Sequence, residues 1–284
     1  MTKEKGMLLS AMGIFGTIGI FVRYIPLPAS AIAFCRAVLG LAFLLLVILL
    51  SRKKPDKSAI KASLPVLVLS GVAMGFNWIL LFESYRYTTV ATATVCYYLA
   101  PLLLLLASPL LGEKLTAKKL LCVGVALIGL VCISGITEGS LPKAEELMGI
   151  GFGLGAAVLY ASVMFLNKKL PPMGAYDKTI LQLASAAVVI LPYLLLTENL
   201  ADFSLTGFQA ALLLVVGIVH TGIAYWMYFG SIKKLSAKTI SVLCYLDPVI
   251  AVLLSAILLK EPMTPINILG SVLILGSALY SESQ

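Results

Sequence analysis

FESYRYTTVATATVCYYLAP, residues 82–101, and FGSIKKLSAKTISVLCYLDP, residues 229–248, align without a gap. They agree at seven of twenty positions: Phe82/Phe229, Ser84/Ser231, Thr92/Thr239, Val95/Val242, Tyr98/Tyr245, Leu99/Leu246 and Pro101/Pro248. One unit therefore occurs twice, at corresponding places in the two halves of the chain. Each copy is embedded in apolar runs long enough to cross a bilayer, so the fold expected is a duplicated helical membrane bundle.

Composition agrees with this reading. The chain is 60% hydrophobic and 12% charged, with a mean hydropathy of +1.03, whereas a soluble domain carries about 25% charged residues. A hydrocarbon core roughly 30 Å thick needs about 20 apolar residues per helix. Ten runs qualify, at 6–24, 28–50, 62–86, 88–111, 117–136, 148–167, 177–197, 206–230, 237–259 and 265–281. The first has the basic flank of a signal peptide in Lys3 and Lys5 but no clear small-residue cleavage site, and nine more runs follow, so it reads as a retained helix.

The net charge of +8 follows the turns between these runs, a pattern that argues for membrane topology and against nucleic acid. With the N-terminus in the cytoplasm, the inside segments hold Lys3, Lys5, Arg52, Lys53, Lys54, Lys57, Lys61, Lys114, Lys118, Lys119, Lys168, Lys169, Lys178, Lys233, Lys234 and Lys238. The outside segments hold only Arg23, Arg86, Lys143 and Lys260. The positive-inside rule then puts both termini in the cytoplasm of a multi-pass inner-membrane protein. Five spans per half is an odd number, so the second half enters the bilayer upside down. An all-α fold of two inverted five-helix repeats is expected, with the units at 1–140 and 141–284.

Catalysis finds little support in these residues. Cys35, Cys96, Cys122, Cys132 and Cys244 lie in apolar runs without paired spacing, and His220 is the one histidine. Neither a metal cluster nor a hydrolytic triad can be assembled, no cofactor motif is present, and the expectation is that the chain is not an enzyme. Glycines gather in spans one and six, at Gly13, Gly16, Gly19, Gly149, Gly151, Gly153 and Gly155, where small-xxx-small spacing allows close helix contact.

In detail the chain resembles the drug/metabolite transporter superfamily, in its ten-helix form built from two EamA domains. The resemblance rests on Tyr97-Tyr98-Leu99-Ala100-Pro101 through Gly112-Glu113-Lys114-Leu115-Thr116, on Tyr245-Leu246-Asp247-Pro248 through Lys260-Glu261-Pro262-Met263-Thr264, and on Phe34-Cys35-Arg36. It covers essentially the whole chain and implies secondary transport of small organic metabolites, often export. It does not name the substrate, because relatives move amino acids, amines, sugars, nucleotides and phosphorylated metabolites.

Candidate site residues follow from helix faces and from polar groups inside apolar runs. Thr94, Tyr97, Tyr98 and Pro101 stand at i, i+3, i+4 and i+7; Ser241, Cys244, Tyr245 and Pro248 are their counterparts. Two such stripes facing each other would give an aromatic cavity between the repeats, while the alternative is interhelical glue. Pro101 and Pro248 are candidate hinges, since proline removes a backbone donor. Asp247, whose counterpart is Ala100, breaks the pseudo-symmetry; it would meet a cation or proton, or pair with Arg36. His220 is a candidate for proton coupling. Glu83, Asn77, Trp78, Tyr225 and Trp226 complete the substrate-binding candidates, with a Glu83–Arg86 ion pair as the structural alternative for Glu83. The function expected is alternating-access export of amino acids or related amines, as monomer or homodimer, with protons as a candidate counter-ion. A lipid-linked-sugar flippase, a drug or nucleotide permease, and a non-transporting scaffold or receptor are the competing readings.

Overall fold

The computed structural model describes residues 2–51, 57–112, 114–134, 143–232 and 234–282. Arg52, Lys53, Lys54, Glu113, Glu138 and Lys233, and the side chains of Lys238 and Ser241, lie outside the described residues. Among those described, the chain is helical without strands. The helices are α1 (Lys3–Arg23), α2 (Ala29–Ser51), α3 (Lys57–Tyr87), α4 (Val90–Tyr97), α5 (Ala100–Leu106), α6 (Ala117–Ile133), α7 (Ala144–Lys168), α8 (Ala175–Thr197), α9 (Gly207–Leu214), α10 (Ala224–Ile232), α11 (Ala237–Cys244), α12 (Leu246–Leu258) and α13 (Pro265–Glu282). A π-helical stretch, Val215–Ile223, joins α9 to α10. Six helices, Lys3–Arg23, Ala29–Ser51, Lys57–Tyr87, Ala144–Lys168, Ala175–Thr197 and Gly207–Ile232, are long and apolar enough to cross a membrane; Val90–Leu106, Val242–Leu258 and Pro265–Ser281 are shorter apolar segments.

The two copies of the repeated unit adopt one local design. Thr89 and Ser236 cap α4 and α11, each side-chain oxygen accepting the N–H of Thr92 or Thr239. Each helix then stops at the equivalent tyrosine, Tyr98 or Tyr245, and restarts with its proline in the first turn, where the missing N–H costs nothing. The runs at 88–111 and 237–259 are thus each built of two short helices that meet at this break. Pro101 consequently leaves the face shared by Thr94, Tyr97 and Tyr98 and lines a separate groove beside Leu104 and Ser108.

Packing interleaves the halves and is preserved when the two are exchanged. α3 packs on α7 and α8, while α10 packs on α1 and the π stretch on α2. α1 packs on α11 and α12, as α7 does on α4 and α5; α2 meets α8, and α6 meets α13. Close crossings fall at glycines. A Cβ on Gly16 would stand 2.7 Å from the Asp247 carbonyl oxygen, and one on Gly129 would stand 2.7 Å from that of Gly270.

Polar residues turn inward and apolar ones outward, the arrangement lipid demands. Arg36, Asn77, Ser84, Gln182, His220 and Thr221 are buried, whereas Leu49, Leu121, Val188 and Leu196 are exposed. Gln182 joins α8 to α3 and α7 through Ser70 Oγ (2.7 Å) and Asn167 Oδ1 (2.8 Å). Ser84 joins α3 to the Gly149 carbonyl of α7 (2.7 Å). At the N-terminal end of the bundle, Lys234 pairs with Glu4 at 2.9 Å. At the opposite end, Glu261 accepts the Val90 N–H (2.8 Å) and the Ser255 hydroxyl and faces Arg23 Nη2 at 3.5 Å, so a turn of the second half caps α4 of the first.

Candidate functional site

A cavity of roughly 160 Å³ opens where α1, α2, α3, α4, α7, α10 and α12 converge, with Arg36, Asn77, Trp78, Tyr85, Thr94, Tyr97, Tyr98, Tyr160, Tyr225 and Asp247 in its wall. Its two charges come from opposite halves of the chain. Arg36 lies about two turns into α2, on the helix's buried side with Ala33, Ala37 and Gly40, and is 6% exposed. Its Nε donates to Thr221 Oγ1 (2.8 Å), and its Cζ lies 4.1 Å above the Trp78 ring and 5.8 Å from that of Phe82. An aromatic face attracts a desolvated guanidinium by about 2 kcal/mol, which offsets part of the cost of its burial.

Thr221 can reach Arg36 because the π-helical turn re-aims it. Its hydroxyl donates to the Val216 carbonyl five residues back (3.1 Å), the spacing of a π turn, and leaves its oxygen toward α2. Gly40, Gly217 and Gly222 allow this: Cβ atoms there would lie within 2.6 Å of Thr221, Leu39 and Phe43 respectively.

Asp247 stands in the first turn of α12, immediately after the break. Its Oδ2 accepts the Tyr98 hydroxyl at 2.5 Å, which links the broken segments of the two repeats. No ion pair joins Asp247 to Arg36 among the described residues, so the structural pair that the sequence offered as an alternative is not formed here. Each charge is held by neutral partners, and both face the same space.

Aromatic rings fill much of the remaining wall. Tyr97 stacks on Tyr160 with centroids 4.9 Å apart and 10° between planes, and meets Tyr98 edge-on at 5.8 Å. Tyr225 is edge-on to Phe15 at 5.6 Å. Asn77 Nδ2 donates to the Ala156 carbonyl (2.5 Å) and its Oδ1 accepts the Tyr97 hydroxyl (3.4 Å). Tyr85 stands 3.5 Å from Thr94 Oγ1 and also lines a second cavity of about 500 Å³ at the end opposite the N-terminus, with Arg23, Arg86 and Glu198. Tyr85 thus forms the partition between the two spaces.

Of the residues singled out in the sequence, Arg36, Asn77, Trp78, Thr94, Tyr97, Tyr98, Tyr225 and Asp247 are brought together here. Four others stand elsewhere. Glu83 pairs with Arg86 at 3.1 Å near the helix end. Trp226 is 41% exposed and lies on the outside of the bundle beside Phe43 and Val47. Tyr245 touches Tyr98, with centroids 6.1 Å apart, but lines a groove between α12 and α13. The reason is local: α12 resumes directly after Tyr245, whereas Leu99 separates Tyr98 from α5, so equivalent side chains leave in different directions. His220 is 1% exposed, 2.8 Å from Thr17 Oγ1 and 3.3 Å from the Val215 carbonyl, outside the cavity wall. Reading the sequence missed Tyr85, Phe15, Ile18 and Thr221; Tyr85, Phe15 and Ile18 carry no signal in an apolar helix, and Thr221 depends on an unannounced π turn.

Comparison with known proteins supplies the lineage. The EamA-like transporter family model matches the chain twice, at residues 4–135 and 147–281. An uncharacterized transporter of Bacillus subtilis (strain 168), YxxF, is 32% identical over 255 residues, which span 88% of this chain and 80% of that relative. An uncharacterized transporter of Archaeoglobus fulgidus is 25% identical over 282 residues, 98% of this chain and 95% of that relative. Protein PecM of Dickeya dadantii (strain 3937) is 31% identical over 221 residues, covering 76% and 72%. A crystal structure 19% identical to this chain superposes with a TM-score of 0.66 over 99% of this chain and 96% of that one, a likeness of fold. The chain belongs to the EamA-like transporter family and is a multi-pass membrane transporter.

Proposed function

We propose that this EamA-family chain exports small zwitterionic or cationic metabolites, amino acids or related amines, by alternating access through the central cavity. The observation that carries the reading is the placement of Arg36 and Asp247 in one wall, each held by neutral groups and not by the other. A solute carboxylate would meet the guanidinium and its ammonium the Asp247 carboxylate, with its side chain among Tyr97, Tyr160 and Tyr225. Buried charges without an ionic partner are costly, and a ligand of matching polarity supplies that partner on binding.

Movement follows from the repeats. The proposed architecture is ten spans in two inverted units, residues 1–140 and 141–284, rocking about the cavity. Support comes from the exchange-symmetric packing and from equivalent helix breaks at Tyr98 and Tyr245. Pro101 and Pro248, just beyond these breaks, are the proposed hinges. Lys118, Lys119, Lys168 and Lys234 sit at the N-terminal end, which supports cytoplasmic termini in an inner membrane. The Glu261 bridge to α4 and Arg23 then closes the outer end. Protons are the proposed counter-ion, because a proton and an ammonium group compete for the one Asp247 carboxylate. His220, engaged by Thr17 and set back from the cavity, has no part in this exchange.

The test compares solutes in the medium of cells making equal amounts of the wild-type chain and of Asp247→Asn. A few amino acids or amines should accumulate outside only with wild type. Identical media would contradict export through this site.

A further inference from the structure

The largest of the cavities described, about 840 Å³, lies away from the central site, at the N-terminal end of the bundle between α5, α6, α7 and α13. Its walls change character along their length. Leu104, Cys122 and Met164 make one part apolar, while Lys118, Lys119 and Lys168 gather at the other. The first turn of α6 opens onto the same space and contains no acidic residue; Thr116 caps the Lys119 N–H there (3.3 Å), and the positive end of the helix dipole faces the groove.

A second observation points to a ligand. Ser108, which lines the groove, is 2% exposed, and its Oγ is buried without a hydrogen-bond partner. Its counterpart seven residues after Pro248, Ser255, gives its hydroxyl to Glu261. An unmet buried hydroxyl is costly and is relieved by an acceptor arriving from outside the fold.

We propose that this groove is a binding site for an anionic phospholipid, the phosphodiester lying on the α6 N-terminus, Ser108 and the three lysines, and the acyl chains against Leu104 and Met164. A free phosphate would satisfy the donors but leave the apolar wall exposed; a zwitterionic lipid would cover the wall but bring no net charge to the lysines. The combination selects a lipid with net negative charge.

The test uses the full purified chain in detergent, with retention of added lipid read by native mass spectrometry and thermal stabilisation read alongside. Phosphatidylglycerol should be retained and stabilising, and phosphatidylcholine or inorganic phosphate should not. Affinity for phosphatidylglycerol should fall roughly fivefold for each lysine replaced across Lys118→Gln, Lys119→Gln and Lys168→Gln. Ser108→Ala, which leaves all charges in place, should weaken retention severalfold, while Lys143→Gln with Lys260→Gln at the other end should change nothing. Equal retention of phosphatidylglycerol and phosphatidylcholine, equal stabilisation by inorganic phosphate, or undiminished retention by the folded lysine variants would each overturn the proposal. These readouts involve no transport and stand apart from the fate of the export reading.

Discussion

Arg36 is positioned by two neighbours that act in different ways: the Trp78 face attracts its charge, and Thr221 fixes its Nε. Thr221→Val keeps the shape but leaves that N–H unpaired in a buried setting, at a cost of about 1–3 kcal/mol. The midpoint of thermal unfolding should fall, and solutes with a carboxylate should bind less tightly, while amines lacking one should be unaffected. An unchanged preference for carboxylates would remove Arg36 from the site. Arg36 and Asp247 were legible in the sequence because a charge inside an apolar run needs a reason. Thr221 was not, since one more hydroxyl in a membrane helix is ordinary and the π turn that aims it leaves no mark in the residue pattern. Trp226 misled for a related reason: Trp78 and Trp226 stand at nearly matching repeat positions, yet lipid and core accept the same aromatic surface, and only the first turns inward.

At the scale of helices, close approach and the capping of broken segments organise the bundle. Gly16 meets the Asp247 backbone, whereas Gly13 has open space around its Cα. Gly16→Ala should therefore force α1 away from α12 and cost about 1–3 kcal/mol, while Gly13→Ala should be neutral or stabilise by up to about 1 kcal/mol. Paired thermal melts in detergent check this, and equal effects would contradict the packing described. Glu261 carries the cap of α4 and faces Arg23. Under the proposed mechanism, Glu261→Ala favours the state open to the outside. A cysteine replacing Phe82, which is 1% exposed, should then react faster with an impermeant maleimide in a background lacking the native cysteines; an unaltered rate would show that Glu261 does not hold the outer end. The helix breaks were partly visible in advance, because Pro101 and Pro248 mark the restarts. The cross-repeat reach of Glu261 was not, because sequence proximity tied it only to its own turn.

Across the whole molecule, duplication was the most legible property: the aligned stretches at 82–101 and 229–248 become equivalent capped and broken helices, and the family model matches each half. The asymmetry between halves carries the proposed chemistry, since Asp247 replaces Ala100 and Tyr98, but not Tyr245, enters the cavity. If protons are the counter-ion, an inward proton gradient should drive solute out of proteoliposomes containing the wild-type chain. That drive should vanish in Asp247→Asn and persist in the folded His220→Asn variant; persistence in Asp247→Asn would place coupling elsewhere.

The most direct measurement is exchange in proteoliposomes of an amino acid, its methyl ester and its deaminated acid, for wild type, Arg36→Gln and Asp247→Asn. The wild-type chain should prefer the zwitterion. Arg36→Gln should lose discrimination against the ester, and Asp247→Asn against the deaminated acid. Identical preferences in all three proteins would contradict recognition of the solute by these two charges.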